Sequence, residues 1–426
     1  MRFKTLPEWL EWQEQLHFTE VDPGLARIGH VWKSLEGTSR LPFTVITVAG
    51  TNGKGSSVAL LESILRHAGY KTGTYTSPHI LRYNERINVN GEACEDTDIC
   101  QAFEQIDTAR ADTSLTYFEF ATLAAIEIFC KEKIDIAILE VGMGGRLDAV
   151  NLFDTDIALI TPISLDHTNW LGTNREDIGF EKAGIISVNK PVVCSEQPPQ
   201  SVIAHAASLQ SKLYIANHDF KVVSTSDDCW QWTNGETEYL NLPKPALEGA
   251  YQLQNAAAVL QVISLLNGKD YAVSEASINK GLSNVKLEGR FQRIAGDVEV
   301  ILDVTHNQQG ATNLAKLLDE IACKGRTFAV VGILKDKDAA MIASILKNEI
   351  DDWYAASLVG DRGMSSQQLV SQFEDKVEPE RVKQFNSVES AFQQAMKMAK
   401  KGDRILVFGS FHTVESVLRI IKKDTK

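Results

Sequence analysis

The fold is decided by a short stretch that reads TVITVAGTNGKGS over residues 44–56. Its first part, Thr44 to Val48, is an unbroken β-branched run, which predicts a buried strand. Glycines then interrupt the run, and from Ser57 onward apolar residues recur at helical spacing until Gly69, a residue typical of a helix end. A strand, a glycine-rich turn and a helix in this order predict a phosphate-binding loop over Gly50 to Ser56.

The chemistry of such a loop is electrostatic. Glycines let backbone N–H groups approach phosphate oxygens, and the following helix offers its positive N-terminus. The general pattern G-x-x-x-x-G-K-[ST] nevertheless fails, because Val48 stands where the first glycine belongs and Gly55 separates the lysine from the serine. A glycine-rich turn with an incidental lysine is the structural alternative, and the pattern does not choose between ATP and GTP. The predicted nucleotide contacts are Thr51, Asn52, Gly53, Lys54, Gly55 and Ser56.

The rest of the chain alternates short β-branched runs with helical patterns, which predicts an α/β fold with a mainly parallel sheet. Strands are predicted at 44–48, 134–141, 157–163, 298–304, 327–334, 353–359 and 404–408. The first three of these strands predict a P-loop domain over residues 1–290. The last four predict a smaller Rossmann-like α/β domain over residues 291–426. The polar segment 228–245 is predicted to form a peripheral hairpin and loop.

Composition excludes several classes of function. The formal net charge of -13 argues against a nucleic-acid partner, since phosphate backbones are held by surplus Lys and Arg. The six cysteines form no CxxC pair, so neither a zinc site nor a disulfide framework is predicted. Charged residues near the N-terminus argue against a signal peptide, and no apolar run reaches the roughly 18 residues of a membrane span. A cytoplasmic enzyme without a membrane partner is expected.

Further blocks follow the loop in order. They are TSPH at 76–79, NERI at 84–87, NG at 90–91, LEVGMGGRLD at 139–148, LDHT at 165–168, LG at 171–172, EKAGI at 181–185, NAA at 255–257, GRFQ at 289–292, DVTHN at 303–307 and GSFH at 409–412. Together with VAGTNGKGS at 48–56, they resemble the Mur ligase superfamily of ATP-dependent amide-bond-forming enzymes, and within it the dihydrofolate synthase/folylpolyglutamate synthase branch. Two departures are Val150, where this family usually has Thr, and Gln308, where it usually has Pro.

The resemblance implies a reaction that joins a carboxylate to the amine of L-glutamate. The carboxylate first takes the γ-phosphoryl group of ATP to become an acyl phosphate, and the amine then displaces phosphate. Dihydropteroate and reduced folates are the implied acceptors, and a monomer is expected. Because every participant except the amine is anionic, the site must gather positive charge from Lys54 and from Mg²⁺, with two ions expected and a monovalent cation as a further possibility.

By the same resemblance, Ser77, Glu140 and His167 hold a magnesium ion. A hydroxyl and a carboxylate are ordinary ligands of magnesium, whereas an imidazole is less usual. From the residues alone, Glu140 could equally cap the glycine turn behind it, and His167 is more simply a core histidine. The predicted catalytic residues are Lys54, His167 and Lys182; the last resembles the family lysine that reacts with carbon dioxide to form a carbamate, although by itself it reads as a solvated helix lysine.

Other contacts also come from the resemblance. Asn255, Arg290 and Asp303 match nucleotide contacts, the last two completing a site that closes between the domains, while His306 and Ser410 are assigned to glutamate. From the residues alone, Arg290 could form an interdomain salt bridge, Asp303 could cap the next helix and Ser410 could cap the last one.

The pterin contacts fall on three segments, called here the three pterin segments. They are Asp22, Pro23, Gly24 and Leu25; Thr116, Tyr117, Phe118 and Glu119; and Leu147, Asp148 and Ala149. Aromatic rings suit a flat heterocycle, and Asp148 could bond the N–H groups of the pterin ring. Core packing is the alternative for Tyr117 and Phe118.

Three other functions compete with the bifunctional ligase. A folylpolyglutamate synthase that lacks the first activity is close to it, but the run SLTYFE at 114–119 closely resembles bifunctional bacterial members of the family, which favours both activities. A cell-wall ligase usually has an additional N-terminal domain, for which the 49 residues before the loop leave no room. A P-loop phosphotransferase or nucleotide switch would not need the second α/β domain.

Overall fold

The computed structural model describes residues 2–424 except residues 20, 36, 227, 228 and 322. The chain forms two compact units. The first consists of Met1–His79, Tyr83–Ala246 and Gln252–Lys286, and the second of Ile80–Arg82, Leu247–Tyr251 and Leu287–Lys426. The second unit thus takes in two short segments from earlier in the chain, which the sequence patterns did not predict.

The first unit contains most of the regular structure. Its strands are β1 (Thr44–Ala49), β2 (Thr72–Tyr75), β3 (Ile87–Val89), β4 (Glu92–Ala93), β5 (Ile136–Glu140), β6 (Ile157–Ile160), β7 (Val192–Cys194), β8 (Leu213–Ile215), β9 (Lys221–Thr225), β10 (Cys229–Thr233) and β11 (Glu238–Pro243). Its helices are α1 (Leu6–Leu16), α2 (Ala26–Ser34), α3 (Lys54–His67), α4 (Asp96–Arg110), α5 (Tyr117–Glu132), α6 (Thr168–Leu171), α7 (Arg175–Ala183), α8 (Gln200–Ser208), most of α9 (Ala250–Asn267) and α10 (Glu275–Asn284).

An eight-stranded sheet in the order β4-β3-β2-β5-β1-β6-β7-β8 forms the centre of this unit. The strands from β2 to β8 along this order are parallel, and β3 and β4 are antiparallel additions at one edge. Helices α3 and α5 pack on the sheet, which explains why β1 and β5 are apolar on both faces. Because β1 lies in the middle, its carboxyl end is flanked by those of β5 and β6, where ligands bind in such sheets.

A separate three-stranded antiparallel sheet, in the order β11-β10-β9, also belongs to the first unit. It contains the predicted hairpin, whose strands are β10 and β11; the start of that prediction, Asp228, lies outside the described residues. The indole rings of Trp230 and Trp232 are fully buried, so the hairpin is packed against the unit despite its polar sequence.

The second unit has its own sheet and core. Its strands are β12 (Gln292–Ile294), β13 (Glu299–Asp303), β14 (Thr327–Val331), β15 (Asp352–Ala356), β16 (Val382–Phe385) and β17 (Arg404–Phe408), and its helices are α11 (Gln308–Glu320), α12 (Ala339–Leu346), α13 (Ser366–Phe373), α14 (Val388–Met398) and α15 (Phe411–Asp424). The sheet order is β12-β13-β17-β14-β15-β16, with only β12 antiparallel. Apolar side chains form a core on each face of this sheet.

The predicted fold class is confirmed: a mainly parallel sheet with a phosphate-type loop is followed by a smaller α/β unit. All seven predicted strands are present, although most are shorter than predicted because their final apolar residues belong to the loops at the carboxyl edge. Within the part of the chain that the structure describes, no helix is long and apolar enough to cross a membrane.

Candidate active site

The predicted phosphate loop connects β1 to α3. Gly50 and Gly53 have φ angles of +150° and +91°, values that L side chains rarely adopt. A Cβ at Gly50 would overlap the side chain of Thr161, so the loop is pressed against the end of β6. The Thr51 hydroxyl strengthens this attachment, because it donates to the Ser164 carbonyl at 3.0 Å and accepts from the Ser164 N–H at 3.1 Å. The backbone of the loop is therefore held in place before any ligand arrives.

Two lysines converge on the loop. The Lys54 Nζ atom donates to the carbonyl oxygens of Gly50 at 3.2 Å and Thr51 at 3.3 Å. Lys182, which comes from α7, donates through Nζ to the same Gly50 carbonyl at 2.8 Å and is only 3% exposed. The alternative of a solvated helix lysine at 182 is therefore wrong: its amine is buried beside the loop.

Burial, together with the smaller effect of the nearby Lys54 cation, lowers the pKa of Lys182 to about 7. The carboxylates of Asp166 and Asp148 act in the opposite direction, but their attraction is the smaller effect. A pKa lowered toward neutrality makes the unprotonated amine far more accessible at pH 7 than it is in an ordinary lysine. Only an unprotonated amine has the lone pair that attacks carbon dioxide, so the electrostatics of the site suit carbamate formation.

Asn255, a predicted nucleotide contact, lies against the loop from α9. A Cβ at Gly53 would lie 2.7 Å from Asn255 Oδ1, so glycine is required there for this approach. Asn255 also donates to Gln252 Oε1 at 2.9 Å, and Gln252 donates to the Ser56 hydroxyl at 3.3 Å. Gln252, which no sequence motif indicated, thus connects Asn255 to Ser56, another predicted nucleotide contact.

The predicted metal ligands lie along the same edge. In the register of β1 and β5, Val48 is opposite Glu140, so the Glu140 carboxylate lies at the level where the loop begins. Its Oε2 atom accepts the Ser77 N–H at 3.3 Å, and the residue is 5% exposed. His167 is in the left-handed conformation with φ +50° just before α6, and its N–H donates to the Asp166 carboxylate at 2.8 Å.

This donor set suits a hard divalent cation in its chemistry, because a buried carboxylate and a neighbouring hydroxyl supply oxygen ligands. Across the described ranges, no group of three or more His, Cys, Asp and Glu side chains could by itself hold a metal ion. The three assigned ligands remain predictions.

The three pterin segments, which are far apart in the sequence, meet in the first unit. The Gly24 N–H donates to the Leu147 carbonyl at 3.2 Å and joins the first segment to the third. Arg27 joins the first segment to the second, because its guanidinium donates to Asp22 Oδ2 at 2.6 Å and to Glu119 Oε1 at 3.2 Å. The segments thus form one locus, as a single binding site requires.

Asp148 has both carboxylate oxygens engaged by its own turn. Oδ2 accepts the Met143 N–H at 2.9 Å, and Oδ1 accepts the Val150 N–H at 3.1 Å. Burial raises the pKa of this carboxyl to about 6, although backbone N–H groups and Lys54 oppose the rise. Asp148 therefore shapes the loop after β5, and any bond to a pterin would use its remaining lone pairs. Val150, one of the two departures, is fully buried in this turn.

The aromatic residues of the second segment begin α5. Thr116 and Glu119 form a capping box, in which the Thr116 hydroxyl accepts the Glu119 N–H and the Glu119 carboxylate accepts the Thr116 N–H at 2.8 Å. The Phe118 ring lies against Gly142, where a Cβ would approach it to 2.7 Å. Tyr117 and Phe118 are partly exposed, so packing on one face leaves another face available.

Four predicted residues belong to the second unit, and each has a local bonding role there. Asp303 accepts the N–H groups of Phe291 and Thr305 at 2.8 Å each, while α11 is capped by Asn307 instead. The suggestion that Asp303 caps the next helix is thus wrong. Arg290 lies over the Phe411 ring at 5.4 Å.

The other two members of this group are His306 and Ser410. His306 Nδ1 is 2.8 Å from the Val304 carbonyl oxygen. The Ser410 hydroxyl accepts the Thr413 N–H at 3.1 Å in the first turn of α15, so the capping alternative for Ser410 is present in the structure. Neither geometry tests the assignment to glutamate, which remains a prediction.

Two family models match the chain. The Mur ligase middle domain covers residues 48–263, and the Mur ligase glutamate ligase domain covers residues 289–411. These matches define the class as a Mur-type ligase. Among similar proteins, the dihydrofolate synthase/folylpolyglutamate synthase of Escherichia coli (strain K12) is 42% identical over 98% of this chain and 95% of its own length. The corresponding protein of Haemophilus influenzae is 40% identical over 98% of both chains.

Solved structures agree with the sequence comparisons. A structure of E. coli FolC in complex with DHPP and ADP has a TM-score of 0.92, is 40% identical and covers 99% of both chains. A bifunctional folylpolyglutamate synthase/dihydrofolate synthase with Mn, AMPPNP and L-glutamate bound has a TM-score of 0.90, is 41% identical and covers 98% of both chains. The chain therefore belongs to the dihydrofolate synthase/folylpolyglutamate synthase family of Mur ligases, as the sequence blocks predicted.

Proposed function

We propose that this chain is an ATP-dependent amide ligase that adds L-glutamate to 7,8-dihydropteroate, giving dihydrofolate, and to the polyglutamate tail of reduced folates. The observation that carries the proposal is the course of the loop after β5. It begins at Glu140, the assigned metal ligand, and ends at Asp148 in the third pterin segment. Between them, the Arg146 N–H donates to the Glu181 carbonyl at 2.8 Å, one residue before Lys182. One loop thus connects the phosphate chemistry to the acceptor locus.

The reaction has two steps. An oxygen of the acceptor carboxylate attacks the γ-phosphorus of ATP, the bond to the bridging oxygen breaks, and ADP leaves with an acyl phosphate formed. The glutamate amine then attacks the acyl carbon, loses a proton and expels inorganic phosphate. In both steps negative charge develops on phosphate oxygens beside the phosphate loop, where Lys54 and the N-terminus of α3 would stabilise it.

The remaining residues would support this chemistry from fixed positions. A divalent metal, held by Ser77, Glu140 and His167, would neutralise charge on the phosphates. A carbamate on Lys182 would convert a buried cation into an anion beside the loop and could support a second ion. Asn255, Arg290 and Asp303 are assigned to the nucleotide, and His306 and Ser410 to glutamate.

The assignment of ATP and of a divalent metal to this chain is supported by structures of relatives as well as by the geometry of the site. Structures of family members hold ADP, AMPPNP and Mn, which supports ATP and a divalent metal for this chain. Two ions, Mg²⁺ as the physiological metal, a monovalent cation, a monomeric state and a cytoplasmic location are finer proposals that follow from the family resemblance and the composition.

Both activities are favoured over folylpolyglutamate synthesis alone. The E. coli and H. influenzae relatives, which are named for both activities, are 42% and 40% identical over 98% of the chain, whereas the folylpolyglutamate synthase of Lacticaseibacillus casei is 30% identical over 74% of it. A phosphotransferase or switch has no use for a glutamate ligase domain, which the second family model matches.

The deciding experiment compares two acceptors, dihydropteroate and tetrahydrofolate, at fixed ATP and glutamate. Release of ADP and incorporation of labelled glutamate should be stoichiometric with each acceptor and should require glutamate. Incorporation with only one acceptor would refute bifunctionality. Vigorous ADP release without glutamate would instead support a phosphotransferase or a nucleotide-hydrolysing switch.

A further inference from the structure

A series of hydrogen bonds, which the backbone between Ser114 and Thr116 completes into a ring, ties the first pterin segment to the second. Its members, called here the Arg27 ring, are His17, Asp22, Arg27, Ser114, Thr116 and Glu119. Three of them lie in predicted pterin segments, but Arg27, His17 and Ser114 do not. Because the ring joins elements that are about a hundred residues apart, local sequence cannot reveal it.

Arg27 is the central member of the ring. Its Nη1 atom donates to Asp22 Oδ2 at 2.6 Å, and its Nη2 atom donates to the Asp22 carbonyl at 2.7 Å and to Glu119 Oε1 at 3.2 Å. The other oxygen of Glu119 accepts the Thr116 N–H at 2.8 Å. One planar guanidinium thus holds the loop backbone, the loop carboxylate and the start of α5 together, which only the fork of an arginine can do.

His17 closes the ring on the other side. Its Nε2 atom is 3.1 Å from Asp22 Oδ2, and its Nδ1 atom is 3.0 Å from the Ser114 hydroxyl. The imidazole is almost fully buried, with a side-chain exposure of 3%. Asp22 is therefore fixed from two directions, by a cation and by a buried ring.

The position of Arg27 is poor for helix stability. Arg27 is the second residue of α2, and a cation in the first turn is opposed by the helix dipole. Glu119, its partner, has a side-chain exposure of 5%, and a buried carboxylate left without a cation is destabilising. The pairing therefore serves the junction between α2 and α5 and not the helix that carries the arginine.

We infer that Arg27 is a positioning residue for the pterin-carrying acceptor. It holds the first pterin segment against the second, so that the locus is assembled before dihydropteroate binds. Asp22 accepts its shortest side-chain hydrogen bond from Arg27, and Glu119 gives one carboxylate oxygen to Arg27 and the other to the Thr116 N–H. The inference rests on the proposed function and adds a residue that sets acceptor affinity without touching the reacting atoms.

The test compares Arg27→Gln, Arg27→Lys and Glu119→Gln with the wild-type chain. Glutamine at 119 retains the capping box but places an amide against the guanidinium, so it breaks only the bond to Arg27. Each substitution should raise KM for dihydropteroate about tenfold, as expected when a charge-assisted hydrogen bond is lost. For the two Arg27 variants, we expect kcat at saturation and KM for ATP to stay within twofold of the wild type. Lysine should not rescue, because a point charge cannot reach both carboxylates at once.

Arg66→Gln is the matched control, because it removes an arginine–carboxylate pair, with Glu62, on the exposed end of α3. It should leave all constants within twofold of the wild type. The double variant of Arg27→Gln and Glu119→Gln should be no worse than Arg27→Gln alone, since Arg27→Gln already removes the contact between the two residues. If Arg27→Gln fails to fold, Glu119→Gln and Arg27→Lys decide the question.

If the wild-type chain turns over dihydropteroate and the Arg27 and Glu119 variants have an unchanged KM for it, the inference is overturned while the proposed function stands. An equal rise in KM for ATP would overturn the inference too, because it would indicate general loss of structure. A wild-type chain that neither binds dihydropteroate, measured by tryptophan fluorescence, nor turns it over would overturn the proposed function together with the inference.

Discussion

Lys182→Met should stabilise the first unit at neutral pH and abolish ligation. The folded pKa of about 7 lies below the ordinary value of 10.5, so the unfolded chain binds this proton more tightly than the folded chain. Stability is therefore lowered most below about pH 7, and the penalty is relieved as the pH rises from about 7 to 10.5. Methionine has a similar length and no charge, so it removes the penalty while filling the same space.

The magnitude follows from the two pKa values. One pKa unit corresponds to about 1.4 kcal/mol, so the buried amine costs the folded chain about 4 kcal/mol at pH 7. The variant also loses the hydrogen bond to the Gly50 carbonyl, which still accepts from Lys54, and the loss of one hydrogen bond to a charged group costs about 1.5–3 kcal/mol. The net gain at pH 7 should be about 1–3 kcal/mol. By about pH 10 the penalty has nearly vanished, and the variant should be the less stable chain.

The assay is denaturant unfolding in buffer free of carbon dioxide, so that the amine is unmodified. Hydrogen exchange of α3 and β1 reports the first unit separately from the second. Lys131→Met, which removes a half-exposed lysine paired with Asp98, is the matched control and should show no pH-dependent gain. A Lys182→Met variant that is less stable than wild type at pH 7, or whose stability difference is the same at pH 7 and pH 10, would refute the reasoning.

Three other substitutions test separate parts of the site. Gly53→Ala should weaken ADP binding more than tenfold by calorimetry, because its Cβ would lie 2.7 Å from Asn255 Oδ1; Gly69→Ala has the same φ of +91° with nothing within 4 Å and should leave binding unchanged. Glu140→Gln should raise the Mn²⁺ concentration needed for half-maximal activity at least tenfold, and unchanged metal dependence would remove Glu140 from the ligand set. Gln308→Pro, at the first position of α11, should be neutral or stabilising by up to about 1 kcal/mol in thermal unfolding, because proline suits the first helical position. A clear loss of stability would contradict the start of α11 at this residue.

Much of the site could be predicted because it is local. The loop from Gly50 to Ser56, the Glu140 strand end and the helix start at Thr116 each depend on residues adjacent in the sequence. Local steric and hydrogen-bond preferences shape such features, and their patterns are visible in a single sequence. The Gln308 departure likewise has a local explanation, because it only exchanges one residue for another at the start of a helix.

Burial and distant pairing could not be predicted, and Lys182 shows why. In the sequence it stands next to Glu181 on an amphipathic helix, where a lysine is ordinarily solvated. Only the packing of α7 against the loop after β1 removes its amine from water and places it beside Lys54. The pKa that makes its chemistry possible is a consequence of desolvation, which no short stretch of residues contains.

By itself, the sequence determined the α/β class, the phosphate loop and the ligase family, since strand and helix periodicity and in-register blocks are properties of neighbouring residues. Three features depend on the tertiary structure: the three pterin segments form one locus, Arg27 joins two of them, and Asp303 accepts the N–H of Phe291. The physical reason is that hydrogen bonds and desolvation depend on distance in space. Residues 22 and 119 become neighbours only after the sheet and its helices have packed.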